Sequence, residues 1–364
     1  MKIIGKKTIC SNPDSVFCYF GWPSITRLPG GVLAMAASGF RMRHVCPFGK
    51  AVISYSPDEG ESWTLPAPVI DTILDDRDSG IVPFGNGRVI FTSFNNTVEQ
   101  QRKWAQGLPT STPAEKANAA LTFAYLDAAE ATGLESKYLG STYKISDDGG
   151  MSFGKLHISP VTAPHGPMTT NDGGLLYIGR RFSGDDSFDA GDKPYVECWR
   201  LNADDEFEYV SAIENIDNGN GGVFNSCEPH AIMLPDGKII VHIRVQNDCF
   251  TVYQSESTDG GRTFTKPHIL LDRFGGSPAH LLLHSSGKLI SVYGYRNAPY
   301  GIRYMVSDDE GATWQTDLVL DDQGPGGDLG YPATVELKDG TLYTVYYENT
   351  DGVSVIRGIH WSLR

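Results

Sequence analysis

The sequence has little cysteine, no run of one charge sign and no long apolar stretch. Its six cysteines (Cys10, Cys18, Cys46, Cys198, Cys227 and Cys249) are scattered, with no C-x-x-C pair. In a chain of 364 residues they read as free, mostly buried thiols rather than a disulfide scaffold. No segment approaches the length of a membrane span. The opening MKIIGKKTICSNPDS has neither the apolar stretch nor the cleavage site of a signal peptide, so cytoplasmic residence is expected. There is no basic run, and the net charge is −14. Long-range attraction to nucleic acid or an anionic membrane is therefore not expected. A small anionic substrate stays open, because a local arginine cluster reverses the sign inside a pocket.

What is present is turn and strand material. Forty-one Gly and 21 Pro require many turns, and 17 Tyr with 16 Phe favour strands. Length alone suggests two domains, but short repeated strands close into one unit of this size. The pattern S-x-D-x-G-x-x-(W/F) occurs four times, at Ser56–Trp63, Ser146–Phe153, Ser257–Phe264 and Ser307–Trp314. In each copy the Asp can satisfy turn N–H groups, the Gly can take positive φ, and the aromatic can pack back under the hairpin. LNADDEF at 201–207 reads as a decayed fifth copy.

A second repeat is an apolar strand, a Gly turn and another apolar strand. It starts at Gly21, Asp78, Pro164, Glu228, Ser277 and Tyr331. Six inner hairpins predict an all-β, six-bladed propeller over residues 1–364, with the Asp repeats in the outer hairpins. The first strand (Lys2–Cys10) and the last (Val353–Leu363) are expected to share a blade. One stretch breaks the pattern. Residues 112–132 predict a helix, with Thr112 as N-cap, Pro113 at its first position, Glu115 completing a capping box and Gly133 ending it. It lies in an insertion, residues 98–137, within the second blade, placed to cover a pocket, form a dimer contact or decorate the surface.

Loops at the start of inner propeller strands converge on one face. The residues there are Trp22, Asp78, His165, Glu228 with His230, Ser277 with His280, and Tyr331. Arg244 ends a strand of the fourth blade and Arg303 precedes the last Asp repeat. Arg41, Arg43 and His44 lie on a first-blade loop, and Arg77 precedes Asp78. The three histidines come from different blades without ligand-pair spacing, so neither a metal nor a cofactor is expected.

Four Asp boxes, the stretch Glu228 to Arg244 with its Leu-Pro-Asp-Gly, Arg303, and Gly330-Tyr331 together resemble the sialidases, most of all bacterial sialidase-like proteins with BNR/Asp-box repeats. The resemblance spans the chain apart from the helical insertion. It implies Tyr331 as nucleophile, Glu228 as its activating base, and Arg244 and Arg303 as two arms of a three-arginine carboxylate clamp. The match is incomplete in two places. Where the family opens its first blade with Arg-Ile-Pro, this chain has Gly21-Trp22-Pro23, leaving Arg41 or Arg43 to complete the clamp. The slot of the acid/base aspartate falls at His44, and no aspartate lies in residues 39–50. Asp78, which matches a substrate-binding aspartate of the family, is the other acid/base candidate. Arg77, His165, His230, His280 and Trp22 are placed on the substrate side.

The resulting expectation is a glycosidase that releases a terminal acidic sugar, sialic acid or a related sugar acid, from a small glycan with retention. Two other readings accompany it. One is a uronate lyase using Tyr331, His44 or His165, and Arg244; the other is a carbohydrate-binding propeller without turnover.

Overall fold

Strands dominate because their residues are apolar on both faces where sheets stack, and alternate only at the rim. The structure, a computed structural model, describes residues 1–182, 195–247 and 250–363; the expectation for Cys249 lies outside them. The first strands are β1 (Lys2–Cys10), β2 (Tyr19–Arg27), β3 (Leu33–Arg41), β4 (Lys50–Ser56) and β5 (Ala67–Ile70). Next come β6 (Arg77–Phe84), β7 (Arg88–Phe94), helices α1 (Val98–Ala105), α2 (Pro113–Ala131) and α3 (Glu135–Tyr138), then β8 (Ser141–Ser146) and β9 (His157–Ser159). These are followed by β10 (Val161–Thr162), β11 (Met168–Thr169), β12 (Leu175–Arg181), β13 (Val196–Leu201) and β14 (Phe207–Ala212). The chain continues as β15 (Asn225–Met233), β16 (Ile239–Gln246), β17 (Thr251–Ser257), β18 (His268–Leu271), β19 (Ala279–Leu283), β20 (Leu289–Tyr295), β21 (Gly301–Ser307) and β22 (Gln315–Asp321). It closes with β23 (Leu329–Glu336), β24 (Leu342–Thr350) and β25 (Val353–Ser362).

The expectation of six blades is corrected by the hydrogen bonding. Among the described residues, four sheets of four or five strands stand alone: β6–β9, β10–β14, β15–β18 and β19–β22. The remaining strands form one continuous eight-stranded sheet instead of two blades. Its halves are joined where β2 runs parallel to β25 at Tyr19 and Ser354. The join is tied by Ser354 N–H to the Cys18 carbonyl at 3.1 Å and Ser354 Oγ to the Phe20 carbonyl at 2.6 Å. Hairpin counting from sequence cannot see such a bond between the two chain ends. Within this sheet β1 pairs antiparallel with β25, which ties the N-terminal strand to the C-terminal one.

The Asp repeats sit between the third and fourth strands of their sheets and hold neighbouring sheets together. In all four the Asp carboxylate accepts from the N–H and hydroxyl four residues on, as Asp148 does from Ser152 at 2.9 and 2.6 Å. The repeat glycine then lies against the preceding sheet or, for Gly60, against the β23–β25 half of its own eight-stranded sheet. A Cβ on Gly60, at φ +89°, would sit 2.5 Å from the Tyr343 ring, and one on Gly311 2.7 Å from Ile240. Only glycine allows both the left-handed backbone and the close approach.

The helices lie between β7 and β8. Thr112 caps α2, and Glu115 reaches back to the Thr112 N–H at 2.8 Å, closing the capping box. Leu126 and Ala129 of α2 pack with Val98 and Ala105 of α1 on Leu74 of the neighbouring loop. Among the described residues no helix is long and apolar enough to cross a membrane.

Candidate active site

The same backbone device recurs at four inner strands. Trp22, Asp78, Glu228 and Tyr331 all have positive φ, between 48° and 53°. Each lies where the antiparallel register slips: Gly21/Ser24, Arg77/Gly80, Cys227/His230 and Gly330/Ala333. A bulged residue in this conformation leaves the pleat and re-aims its side chain, at a strain cost of about 1–3 kcal/mol. All four side chains line one cavity of about 300 Å³. Strain repeated at four converging strands marks that cavity as the site.

At its centre the Tyr331 hydroxyl donates to Glu228 Oε1 at 2.7 Å, and Arg244 Nη1 donates to Glu228 Oε2 at 2.5 Å. Tyr331 is fixed from behind by its own N–H, which donates to Ser277 Oγ at 2.7 Å. Burial, then the charge of Glu228, pushes the Tyr331 phenol well above its ordinary value, while Arg244 pulls it back. The phenol is therefore held protonated beside a carboxylate placed to take its proton. Burial and the Glu228 charge also push the Asp78 carboxyl up to about 7.

His44 lies at the cavity rim. Its Nδ1 is 3.0 Å from Asp328 Oδ1 and 2.8 Å from the Tyr19 hydroxyl. Asp328 also accepts from Tyr19, Tyr347 and Asn349 at 2.9–3.0 Å, and it is held well below the carboxylate range despite its burial. An ionised Asp328 makes Nδ1 the donor and leaves Nε2 as the lone-pair nitrogen. Burial pushes the His44 pKa down, against the pull of Asp328.

Trp22, His44, Arg77, Asp78, Glu228, Arg244 and Tyr331 line the cavity; other expected residues do not. Arg41 is fully buried and bidentate to Asp75 at 2.5 and 3.0 Å, with its guanidinium 4.8 Å from the Trp22 ring. It is locked behind Trp22 and completes no clamp. Arg43 turns to the helical insertion, donating to Thr122 Oγ1 at 3.0 Å. It lines a side cavity of about 220 Å³ that shares His44 with the main one. Arg303 sits on β21, the third strand of its sheet, paired with Asp317 at 3.1 Å and stacked 3.9 Å from Tyr295. Its place just ahead of the last Asp repeat does not bring it to the cavity; the arginine that lines the cavity there is Arg296 in the β20–β21 loop. Arg296 Nη2 donates to the Tyr347 hydroxyl at 3.0 Å, and its guanidinium lies 5.7 Å from the Tyr331 ring.

His165, His230 and His280 meet one another, not the cavity, with ring centroids 4.3–5.6 Å apart. Nδ1 of His230 accepts from the Leu281 N–H at 3.0 Å, and Nδ1 of His280 from the Thr334 N–H at 3.4 Å. Both neutral rings then carry their proton on Nε2, which leaves no lone pair there for a metal. Among the described residues no group of three or more His, Cys, Asp or Glu is placed to hold a metal ion.

Sequence reasoning missed Arg180, Arg181, Arg296 and Asp328. A signal existed for the arginines. Arg41, Arg180, Arg244 and Arg296 all stand at or near the end of the second strand of a sheet, after an apolar run. Nothing in the sequence distinguishes Asp328 from its neighbour Asp322.

Residues 129–344, more than half of the chain, match the BNR repeat-like domain family. No curated protein matches in sequence. A Dyadobacter fermentans protein of unknown function is 20% identical, with TM-score 0.73, over 100% of this chain and 99% of that one. The NanB sialidase of Streptococcus pneumoniae is 14% identical, with TM-score 0.65, over 98% of this chain and 70% of its own. The intramolecular trans-sialidase of Ruminococcus gnavus is 13% identical, with TM-score 0.65, over 100% and 98%. At these identities the likeness is one of fold.

Proposed function

This chain belongs to the BNR repeat-like family of sialidase-like proteins, and on that premise we propose that it is a glycoside hydrolase releasing a terminal acidic sugar with retention of configuration. The observation that carries the reading is the contact of the Tyr331 hydroxyl with Glu228 Oε1 at 2.7 Å, inside an arginine-lined cavity. Tyr331 Oη attacks the anomeric carbon, its proton passes to Glu228, and the glycosidic C–O bond breaks as the leaving oxygen is protonated. Water then attacks the anomeric carbon, giving its proton to the group that protonated the leaving oxygen; the bond to Tyr331 Oη breaks, and the phenolate recovers its proton from Glu228. A phenol needs such a base, because it is a weak nucleophile while protonated. A neutral nucleophile with an anionic neighbour also suits an anionic sugar better than a bare carboxylate, which would repel it. Arg244 and Arg296 hold the sugar carboxylate, and Trp22 stands as an apolar wall where the family has its first arginine. Asp78 and His44 are the two groups able to protonate the leaving oxygen.

The test is hydrolysis of aryl glycosides of sialic acid, other ulosonic acids, glucuronic acid and neutral sugars by the native chain and by Tyr331→Phe. Release from one acidic sugar, lost in the variant, supports the reading and names the sugar. Silence across the panel overturns it; an ultraviolet-absorbing unsaturated product would point instead to elimination. Trp22 at the arginine position favours a second reading, a carbohydrate-binding propeller, for which sugar-acid binding survives Tyr331→Phe and no turnover is seen.

A further inference from the structure

The cavity is more basic than one carboxylate requires. Among the described residues, five arginines line it, Arg77, Arg180, Arg181, Arg244 and Arg296, with two carboxyl groups, Asp78 and Glu228. This occurs in a chain whose net charge is −14. Arg244 is matched by Glu228. Arg41 and Arg77 divide the single charge of Asp75, whose oxygens lie 2.5 Å from Arg41 Nη1 and 3.6 Å from Arg77 Nε. Asp78 carries only part of a charge near neutrality, since burial lifts it to about 7.

Arg244, Arg296, Glu228 and Tyr331 come from the sheets of β15–β18, β19–β22 and β23–β25. Arg77 stands on β6, and Arg180 and Arg181 stand on β12, which packs beside β15, with Arg180 Nη1 donating to Asn225 Oδ1 at 2.5 Å. Arg181 is the sharpest case. Its Nη1 is buried and has no hydrogen-bond partner among the described residues. A guanidinium N–H left dry and unpaired costs about 1–3 kcal/mol or more, so such a group at a cavity wall is set for a ligand acceptor. Planar guanidiniums pair best with planar or tetrahedral oxyanions, in bidentate fashion.

We propose that Arg181, supported by Arg77 and Arg180, forms a second oxyanion subsite, so that the ligand is a sugar acid carrying two anionic groups. This rests on the sugar-acid reading of the same cavity. One group meets Arg244 and Arg296 beside Tyr331; the other, a sulfate ester or a second carboxylate, meets Arg181. The site reads spacing as well as charge, because the two arginine sets stand on separate rigid strands.

The experiment is titration calorimetry on full-length Tyr331→Phe protein, so that nothing turns over, with galacturonate, galacturonate bearing a sulfate ester, and digalacturonate. At least one of the two dianions is expected to bind tenfold or more tighter than galacturonate, and the dianion that does so names the second group. Arg181→Met is expected to bring that ratio to about one without changing the galacturonate affinity. Arg181→Lys, which keeps the charge and guards against a folding artefact, is expected to retain part of it. Equal affinities for all three probes would overturn the subsite, as would a dianion preference that persists in Arg181→Met. Hydrolysis by the native chain is measured separately. Dianion preference without turnover keeps the subsite and removes the hydrolase; turnover without dianion preference does the reverse.

Discussion

Tyr331 and Glu228 meet at 2.7 Å from strands 103 residues apart, and both do so from left-handed backbone, at φ 50° and 48°. The pair exists because two bulges turn both side chains out of their sheets. Its chemistry is a proton shared between a phenol held neutral and a carboxylate held by Arg244. Tyr331→Phe and Glu228→Gln are each expected to lower kcat by about 10²–10⁴-fold. Sugar-acid affinity should stay within a few-fold, since Arg296 is untouched. Glu228→Ala is a different experiment: it strands the buried Arg244 and should cost about 3–5 kcal/mol of stability. Turnover unchanged in Tyr331→Phe, at native thermal stability, would remove the nucleophile assignment.

The acid/base question has a pH signature. The proton donor must be protonated for the leaving group to depart. Asp78 is lifted to about 7 by burial and by Glu228, so a rate dependent on Asp78 should fall as pH rises through about 7. His44 is pushed below its ordinary 6.5, so a rate dependent on it should already fall as pH rises through a point below 6.5. The expected profile for kcat/KM has its alkaline limb near 7, abolished in Asp78→Asn and retained in His44→Gln. A limb below 6.5 that vanishes in His44→Gln instead assigns His44, oriented by Asp328.

How much of this was legible in the sequence follows from what each residue is tied to. The Asp repeats and the capping box of α2 are local, complete within a few residues, and the structure shows the hydrogen bonds they imply. Glu228, Asp78, Trp22 and Tyr331 were found because strand starts are visible as hairpin patterns. The depth of Arg41 was not legible, because its partner Asp75 is 34 residues away on another loop. The choice between Arg303 and Arg296 was not legible either. It depends on whether an arginine falls within β21 or just after β20, and seven residues of sequence do not show where a strand stops. The join of β2 to β25 needs the two ends of the chain in register, which no local pattern encodes.

Buried neutral histidines make the fold sensitive to acid. Burial pushes His165 and His230 well below 6.5, His242 to about 4 and His280 to about 3. Below pH 6.5 the unfolded chain takes up these protons and the folded chain does not, so stability falls as pH falls. Each such group contributes about 1.4 kcal/mol per pH unit in that window. Asp76 and Asp78, lifted from 3.8 to about 7, act oppositely: the folded chain holds their protons, so stability gains as pH falls from 7 toward 3.8. Four histidines outweigh two aspartates. The urea midpoint should therefore drop between pH 6 and 4.5, and less steeply in His280→Gln. A midpoint flat across that range would show the histidines protonated in the fold.

Arg303 and Arg296, nominated for the clamp by sequence and by structure respectively, differ in what holds them. Arg303 is spent on Asp317 at 3.1 Å and on the face of Tyr295, away from the cavity. Arg296 lines the cavity, braced by donations to the Leu329 carbonyl at 2.8 Å and the Tyr347 hydroxyl at 3.0 Å. Those contacts fix its orientation without neutralising it, because neither acceptor is an anion. Arg296→Met should therefore raise KM or Kd for a sugar acid by tenfold or more, about 1.4 kcal/mol, and leave binding of a neutral sugar unchanged. Arg303→Met should change neither, and cost only the modest stability of a part-exposed pair. The reverse pattern, with Arg303 controlling acid-sugar affinity, would mean that β21 carries its arginine into the cavity when ligand binds, and would reinstate the arginine ahead of the last Asp repeat.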